Sequence, residues 1–216
     1  MKKCLLFLAV AAALMVGAPA YSQYYFVDLN GDGLNSNTSA SLPDDILSSS
    51  KTAMDVYIVT DKNRDGSTAI CSSNEPFTIN QYEFTLHTTG GGSVTFNSWT
   101  DNMGFTFGLV LCGDGTICTG GGDVWVGRGS GTQLPPGKYK LGTLGITVTT
   151  SSDPNLNFAV SSTLNPNAQT AFGSNCDGAN FDSLIRLGVD FTDSDGTESA
   201  TPVMLTTWGK IKNRYH

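Results

Sequence analysis

The sequence predicts an all-β protein built as a two-sheet sandwich, and three observations lead there. Apolar residues recur at every second position along most of the chain. The runs that alternate this way are rich in Val, Ile, Thr, Phe and Tyr, and clusters of Gly, Pro, Asn, Asp and Ser separate them at sandwich-like intervals. Charge is scarce at 14% of residues, where an ordinary domain carries about 25%. The acids are sixteen Asp against three Glu, and Glu with Lys is the usual filling of exposed helical faces. A helical bundle, a coiled coil and a doubly wound α/β enzyme are thereby excluded. An alternating strand has one apolar face, which a second sheet must cover. The formal charge of −7 also excludes a phosphate-binding surface, whose footprint is basic.

Taken in chain order, residues 1–20 read as a secretory signal peptide. Lys2 and Lys3 precede an apolar run from Leu5 to Val16, followed by Gly17-Ala18-Pro19-Ala20. The run is shorter than the roughly 20 residues that span a bilayer. The expectation is therefore an exported chain with no transmembrane segment. No composition shift divides the chain beyond this leader, so residues 21–205 are expected to form a single sandwich domain, with 206–216 as a tail. Tyr24–Val27 is the first strand. Pro43–Ser50 is one of two places with room for a short helix.

Met54, Val56 and Ile58 alternate with Asp55, Tyr57 and Val59; Tyr82, Phe84 and Leu86 alternate with Glu83, Thr85 and His87. Further strands are expected over Ser93–Trp99, Gly104–Leu111, Asp123–Val126, Lys138–Thr149, Leu156–Val160, Ile185–Phe191 and Val203–Thr207. Leu134-Pro135-Pro136-Gly137 reads as a turn feeding the strand that begins at Lys138, and Gly127–Gly131 as a loop tip. The tail, Thr207–His216, is basic and aromatic. Its Trp208, Ile211 and Tyr215 lie at helical spacing, which suits a closing helix or a tag for anchoring.

Four cysteines remain beyond the leader: Cys71, Cys112, Cys118 and Cys176. An even number in an exported chain reads as two disulfides, with three pairings open. Gly113-Asp114-Gly115 turns the chain back on itself and favours Cys112–Cys118, which leaves Cys71–Cys176.

Two segments repeat a pattern that carries chemistry. Asp28-Leu29-Asn30-Gly31-Asp32-Gly33 and Asp61-Lys62-Asn63-Arg64-Asp65-Gly66 both read D-x-N-x-D-G, each after an aromatic, β-branched strand. Ca²⁺ takes six to eight oxygens, and alternate side chains of a tight loop converge on one point. Asp28, Asn30 and Asp32, and likewise Asp61, Asn63 and Asp65, are the candidate ligands. The alternative is a pair of Asx-type turns with solvated carboxylates. These loops resemble the calcium loops of dockerins and EF-hands over positions one, three, five and six. Position twelve, normally acidic there, is Ser39 in one loop and Ser72 in the other, so Asp44 or Asp45 would have to close the first site.

The segments TINQYEFTLHTTGGGSVTF and LPPGKYKLGTLGITV resemble cohesin-type and related carbohydrate-module sandwiches. That resemblance implies an Ig-like, cohesin-like or jelly-roll arrangement and a binding role. Trp99, Trp125, Tyr57 and Tyr139 are candidates for a sugar-stacking platform, with the inter-sheet core as the alternative place for the two tryptophans.

Signals of catalysis are few. His87 lies opposite the apolar positions of its strand, His216 is the last residue, and no G-x-S-x-G elbow occurs. The expected function is a secreted or cell-surface, calcium-stabilised module for adhesion, scaffolding or glycan binding, with an extracellular protein or polysaccharide as partner and no nucleic acid. An extracellular carbohydrate-active enzyme is the alternative.

Overall fold

The computed structural model describes residues 23–35, 47–63, 66–71, 74–90, 92–112, 122–149, 154–159, 164–165, 170–176, 184–186 and 192–193. Eleven strands are found in them: β1 (Tyr24–Asp28), β2 (Ala53–Val59), β3 (Ile79–Gly90), β4 (Ser93–Asp101), β5 (Phe107–Cys112), β6 (Asp123–Leu134), β7 (Lys138–Thr149), β8 (Pro154–Ala159), β9 (Ala171–Gly173), β10 (Leu184–Arg186) and β11 (Thr192–Asp193). One sheet has the order β11-β1-β2-β7-β4. The other has the order β10-β9-β3-β6-β5, with β8 also paired to β3. All pairings are antiparallel except β1 with β11, which is parallel. The protein is an all-β two-sheet sandwich, as its alternation predicts.

Period-two patterning decides which side chains meet. Val56, Ile58, Phe84, Leu86, Val94, Phe96, Val124, Val126, Leu144 and Ile146 project between the sheets as one buried cluster. Most connections pass from one sheet to the other. The Gly92 backbone, at φ 88°, helps turn β3 into β4, a conformation glycine adopts without a Cβ penalty. The predicted Pro-Pro-Gly turn joins β6 to β7. There the Thr60 amide donates to the Gly137 carbonyl at 2.9 Å, and the Gly137 amide donates to Thr60 Oγ1 at 3.0 Å.

Three ties brace the sandwich. Tyr25 is fully buried, and its hydroxyl donates to the Ala171 carbonyl of the opposite sheet at 2.6 Å. Tyr82 answers from the other side, donating to Asp101 Oδ1 at 2.6 Å. Asp101 Oδ2 meanwhile accepts the Gly104 amide at 2.7 Å, which shapes the turn out of β4. The third tie is covalent: Cys71, in the connection between β2 and β3, is bonded to Cys176, just after β9. Trp99 adds a packing contact, edge-on to Phe84 at 5.5 Å between centroids. A Cβ on Gly142 would lie 2.4 Å from the Trp99 ring, so this glycine makes the space that the indole fills. A Gly142→Ala variant is expected to lose about 2–3 kcal/mol of stability through overpacking, measured by denaturant unfolding.

Several expectations need correction. Gly127–Gly131 is not a loop tip, because β6 continues through it to Leu134. The absence of side chains there serves packing: a Cβ on Gly127 would come 2.8 Å from the Trp125 ring. The strand placed from Gly104 begins at Phe107, after the turn held by Asp101. Leu47–Ser50, the described part of the segment with room for a helix, is instead an irregular stretch ending in a turn, with the Lys51 amide bonded to the Ser48 carbonyl at 2.9 Å. Residues 1–20, where a signal peptide is expected, Asp65, Cys118, Val203–Thr207 and the tail lie outside the described residues, and so does any Cys112–Cys118 bond. No helix among the described residues is long and apolar enough to cross a membrane.

Candidate functional site

Two regions carry unusual side chains: the front loop after β1, and the outer face of the sheet formed by β3, β6 and β5.

The front loop is built around one aspartate. Asp28 ends β1 with its side chain on the outer face and 1% exposed. Its Oδ1 accepts the amides of Asn30 at 3.1 Å and Gly31 at 2.6 Å, and its Oδ2 accepts that of Gly33 at 2.7 Å. The pattern then repeats outward. Asn30 Oδ1 takes the Asp32 amide at 2.8 Å, and Asp32 Oδ1 takes the Leu34 amide at 2.7 Å. Gly31 and Gly33 supply the positive φ angles, 81° and 71°, that this winding needs. Two cations close on the loop carbonyls: Lys51 Nζ donates to Leu29 O at 2.6 Å, and Lys138 Nζ donates to Gly33 O at 2.7 Å. Lys138 also sits 5.8 Å from the centroid of the Tyr57 ring. Tyr57 stacks on Phe26 at 4.9 Å. Partial burial raises the Tyr57 phenol above its usual range, and the charges of Asp28 and Asp55 add to it.

Next to the loop, Asp28 faces Asp55 across β1 and β2. Like charges in that register repel. Lys140 and Thr143 offset this, donating to Asp55 at 2.6 Å each.

Of the second repeat, Arg64 and Asp65 lie outside the described residues. The Asn63 amide donates to the Ser67 carbonyl, and the Gly66 amide to the Asn63 carbonyl, both at 2.9 Å. Lys62 and Thr68 form an isolated bridge. Backbone bonds thus join the described residues on either side of those two. Asp61 lies near Tyr139, whose phenol is raised chiefly by burial and then by that charge.

The donor set of the first loop suits a hard cation in kind, with two carboxylates and an amide oxygen in series. Those oxygens hold backbone amides here, and two ammonium groups already occupy neighbouring carbonyls. Among the described residues, no three or more His, Cys, Asp and Glu side chains are grouped for a metal ion.

The outer face of β3–β6–β5 follows from register. Gln81, Glu83 and Thr85 pair with Gly129, Gly127 and Trp125; these in turn pair with Phe107, Leu109 and Leu111. All of these point away from the core. Gly127 and Gly129 leave the middle of the face without side chains, so Trp125 lies down over Gly127 with 8% of its surface exposed. A depression of about 320 Å³ results, bounded by Gln81, Glu83, Trp125, Phe107 and Leu109. Phe107 is 69% and Leu109 45% exposed. At the far end of the face, the cross-strand pair His87–Asp123 closes through Nδ1 at 2.8 Å.

The four aromatic residues singled out from sequence do not share a face. Trp99 is turned inward, Trp125 floors this depression, and Tyr57 lies on the outer side of the other sheet. Tyr139 packs beside the core, and its hydroxyl donates to the Pro135 carbonyl. Sequence reading missed Phe107 and Leu109. Their signal was available in the run Phe107-Gly-Leu-Val-Leu, which carries no polar residue on either face of a strand.

No family model and no curated protein matches the chain. Among solved structures, it is similar to the second type II cohesin module from the adaptor ScaA scaffoldin of Acetivibrio cellulolyticus. The identity is 14% and the TM-score 0.43, over 89% of this chain and all of that one.

Proposed function

We propose that the protein is an exported or cell-surface binding module that engages a protein partner through the outer face of β3–β6–β5. The observation that carries this reading is the pairing of two exposed apolar side chains, Phe107 and Leu109, with a glycine-lined depression floored by Trp125. Large apolar side chains left in water beside a depression are the mark of a contact surface. Export is supported by the residues of the leader and by the Cys71–Cys176 bond, which persists in oxidising compartments.

A Phe107→Lys, Leu109→Lys chain produced in its own cells tests the reading by gel filtration. The unsubstituted chain is expected to elute with its partner and the substituted one alone; equal elution contradicts the proposal. Glycan binding is the second reading. It rests on Trp125 and Phe107, because an indole laid flat on a depression suits the apolar face of a sugar.

Calcium at the front loop is part of the proposal. The ion would be held by Asp28, Asn30 and Asp32, in competition with Lys51 and Lys138, and would stiffen the loop. Calorimetric titration with Ca²⁺ is expected to give a binding heat that weakens at least tenfold in affinity in Asp32→Asn. That residue is exposed, so its substitution leaves the Asp28 network in place. No heat in the unsubstituted chain sinks this part of the reading.

A further inference from the structure

Strand β5 ends its sheet, and among the described residues nothing pairs with its outer edge. Exposed edges are normally blunted by charge, proline or a bulge, because a free row of amides and carbonyls pairs with any strand that reaches it. The end strand β4 of the other sheet is blunted in this way, by the bulge between Phe96 and Ser98. β5 itself has no such device: Phe107-Gly108-Leu109-Val110-Leu111-Cys112 contains neither proline nor an acidic or basic side chain, and its register with β6 is unbroken.

The geometry also selects a partner. When two identical strands pair antiparallel about a two-fold axis normal to the sheet, opposed residues stay on the same face. Centred on Leu109, that pairing sets Leu109 against Leu109, and Phe107 against Leu111, once on each side of the axis. The outer face then carries one unbroken apolar stripe made by the same three residues of each copy. Charge points the same way. A chain with 19 acidic and 12 basic residues repels its own copy over much of its surface. On β6, the residues in register with β5 run from Val124 to Gly129, and the one charged residue among them is Arg128, a cation. Along β5 and its register on β6, two copies meeting here bring no carboxylates together.

We propose that the β5 edge joins two copies of this chain into a two-fold dimer, with the six-stranded sheets continuous across the contact. This rests on the reading of the Phe107–Leu109 region as a contact surface and names its partner. Six paired residues span about 20 Å, a contact at the small, transient end of specific interfaces, so the dimer is concentration-dependent.

Sedimentation equilibrium of the chain lacking its leader tests the proposal. The expected result is a monomer–dimer equilibrium that Leu109→Lys abolishes and Thr147→Lys, exposed on the other sheet, leaves unchanged. Matching thermal unfolding of the two variants shows that both fold. The register has its own readout. Residue 109 faces itself across the axis at a Cα separation suited to a disulfide, so Leu109→Cys is expected to give a covalent dimer under oxidation and Thr147→Cys is not. A monomer at every concentration, or a dimer indifferent to Leu109→Lys, overturns the proposal. Capture of a different protein at Phe107 by a chain that stays monomeric overturns the dimer and leaves the contact surface standing.

Discussion

Replacing Cys71 and Cys176 together by Ser is expected to cost about 4 kcal/mol of stability. The bond joins positions 105 residues apart, and closing a loop of about 100 residues removes roughly 4.7 kcal/mol of chain entropy from the unfolded state in the entropic treatment. The native side adds to this. Cys71 is 3% exposed and belongs to a turn in which its amide donates to the Glu75 carbonyl at 2.8 Å. On the other strand, the Asn175 amide beside Cys176 donates to Thr78 Oγ1 at 3.1 Å. Cutting the bond therefore loosens β9 from the entry to β3, and β3 is the strand on which the outer face is built. Urea denaturation of the double variant checks this with Cys112 and Cys118 untouched. A loss below about 1 kcal/mol contradicts a structural role for the bond.

The second large effect is expected at high pH. Tyr25 and Tyr82 are both raised above the usual phenol range. For Tyr25 the causes are burial and then the charge of Glu83; for Tyr82 they are burial and then the hydrogen bond to Asp101. A phenol raised in the folded state keeps its proton after its unfolded counterpart has lost it. The folded state then binds more protons than the unfolded one from about pH 10 upward, so stability falls as pH rises. Stability is unaffected by these groups below pH 10. Above it, each tyrosine removes about 1.4 kcal/mol per pH unit. Tyr25→Phe and Tyr82→Phe should each flatten that slope by one proton, at the cost of about 1 kcal/mol at neutral pH for the lost hydrogen bond. A slope unchanged in both variants contradicts the crossing of the sandwich by these two hydroxyls.

How much of this was legible beforehand depends on the kind of signal. Alternation at Met54–Val59 and Tyr82–His87 placed β2 and β3 with the correct faces inward, because a half-buried strand needs period two. The Pro-Pro-Gly turn was readable because it is local chemistry. The extent of β6 was not. Gly127 and Gly129 look like loop residues in a linear reading, and only the fold shows Trp125 lying across the first of them. Trp99 was ambiguous for a similar reason: its inward turn depends on the register shift between Phe96 and Ser98 and on the space over Gly142.

The two D-x-N-x-D-G repeats show the limit most clearly. The first is wound on the buried Asp28 carboxylate, and Lys51, Lys138 and Tyr57 stand around it, partners that the pattern itself does not encode. The proposed contact surface was invisible as a motif, because its parts come from three strands and its central residues are glycines.

The central claim, that the outer face of β3–β6–β5 is where the protein meets a partner, is tested most directly by light-driven crosslinking from position 107. A benzophenone amino acid replaces Phe107 in one chain and Thr147, exposed on the other sheet, in a second. Each is irradiated in the cells that produce it, and the adducts are identified by mass spectrometry. A discrete adduct is expected from position 107, whether with a second copy or with another protein, and none from position 147. No adduct from 107, or the same adducts from both positions, would contradict that claim.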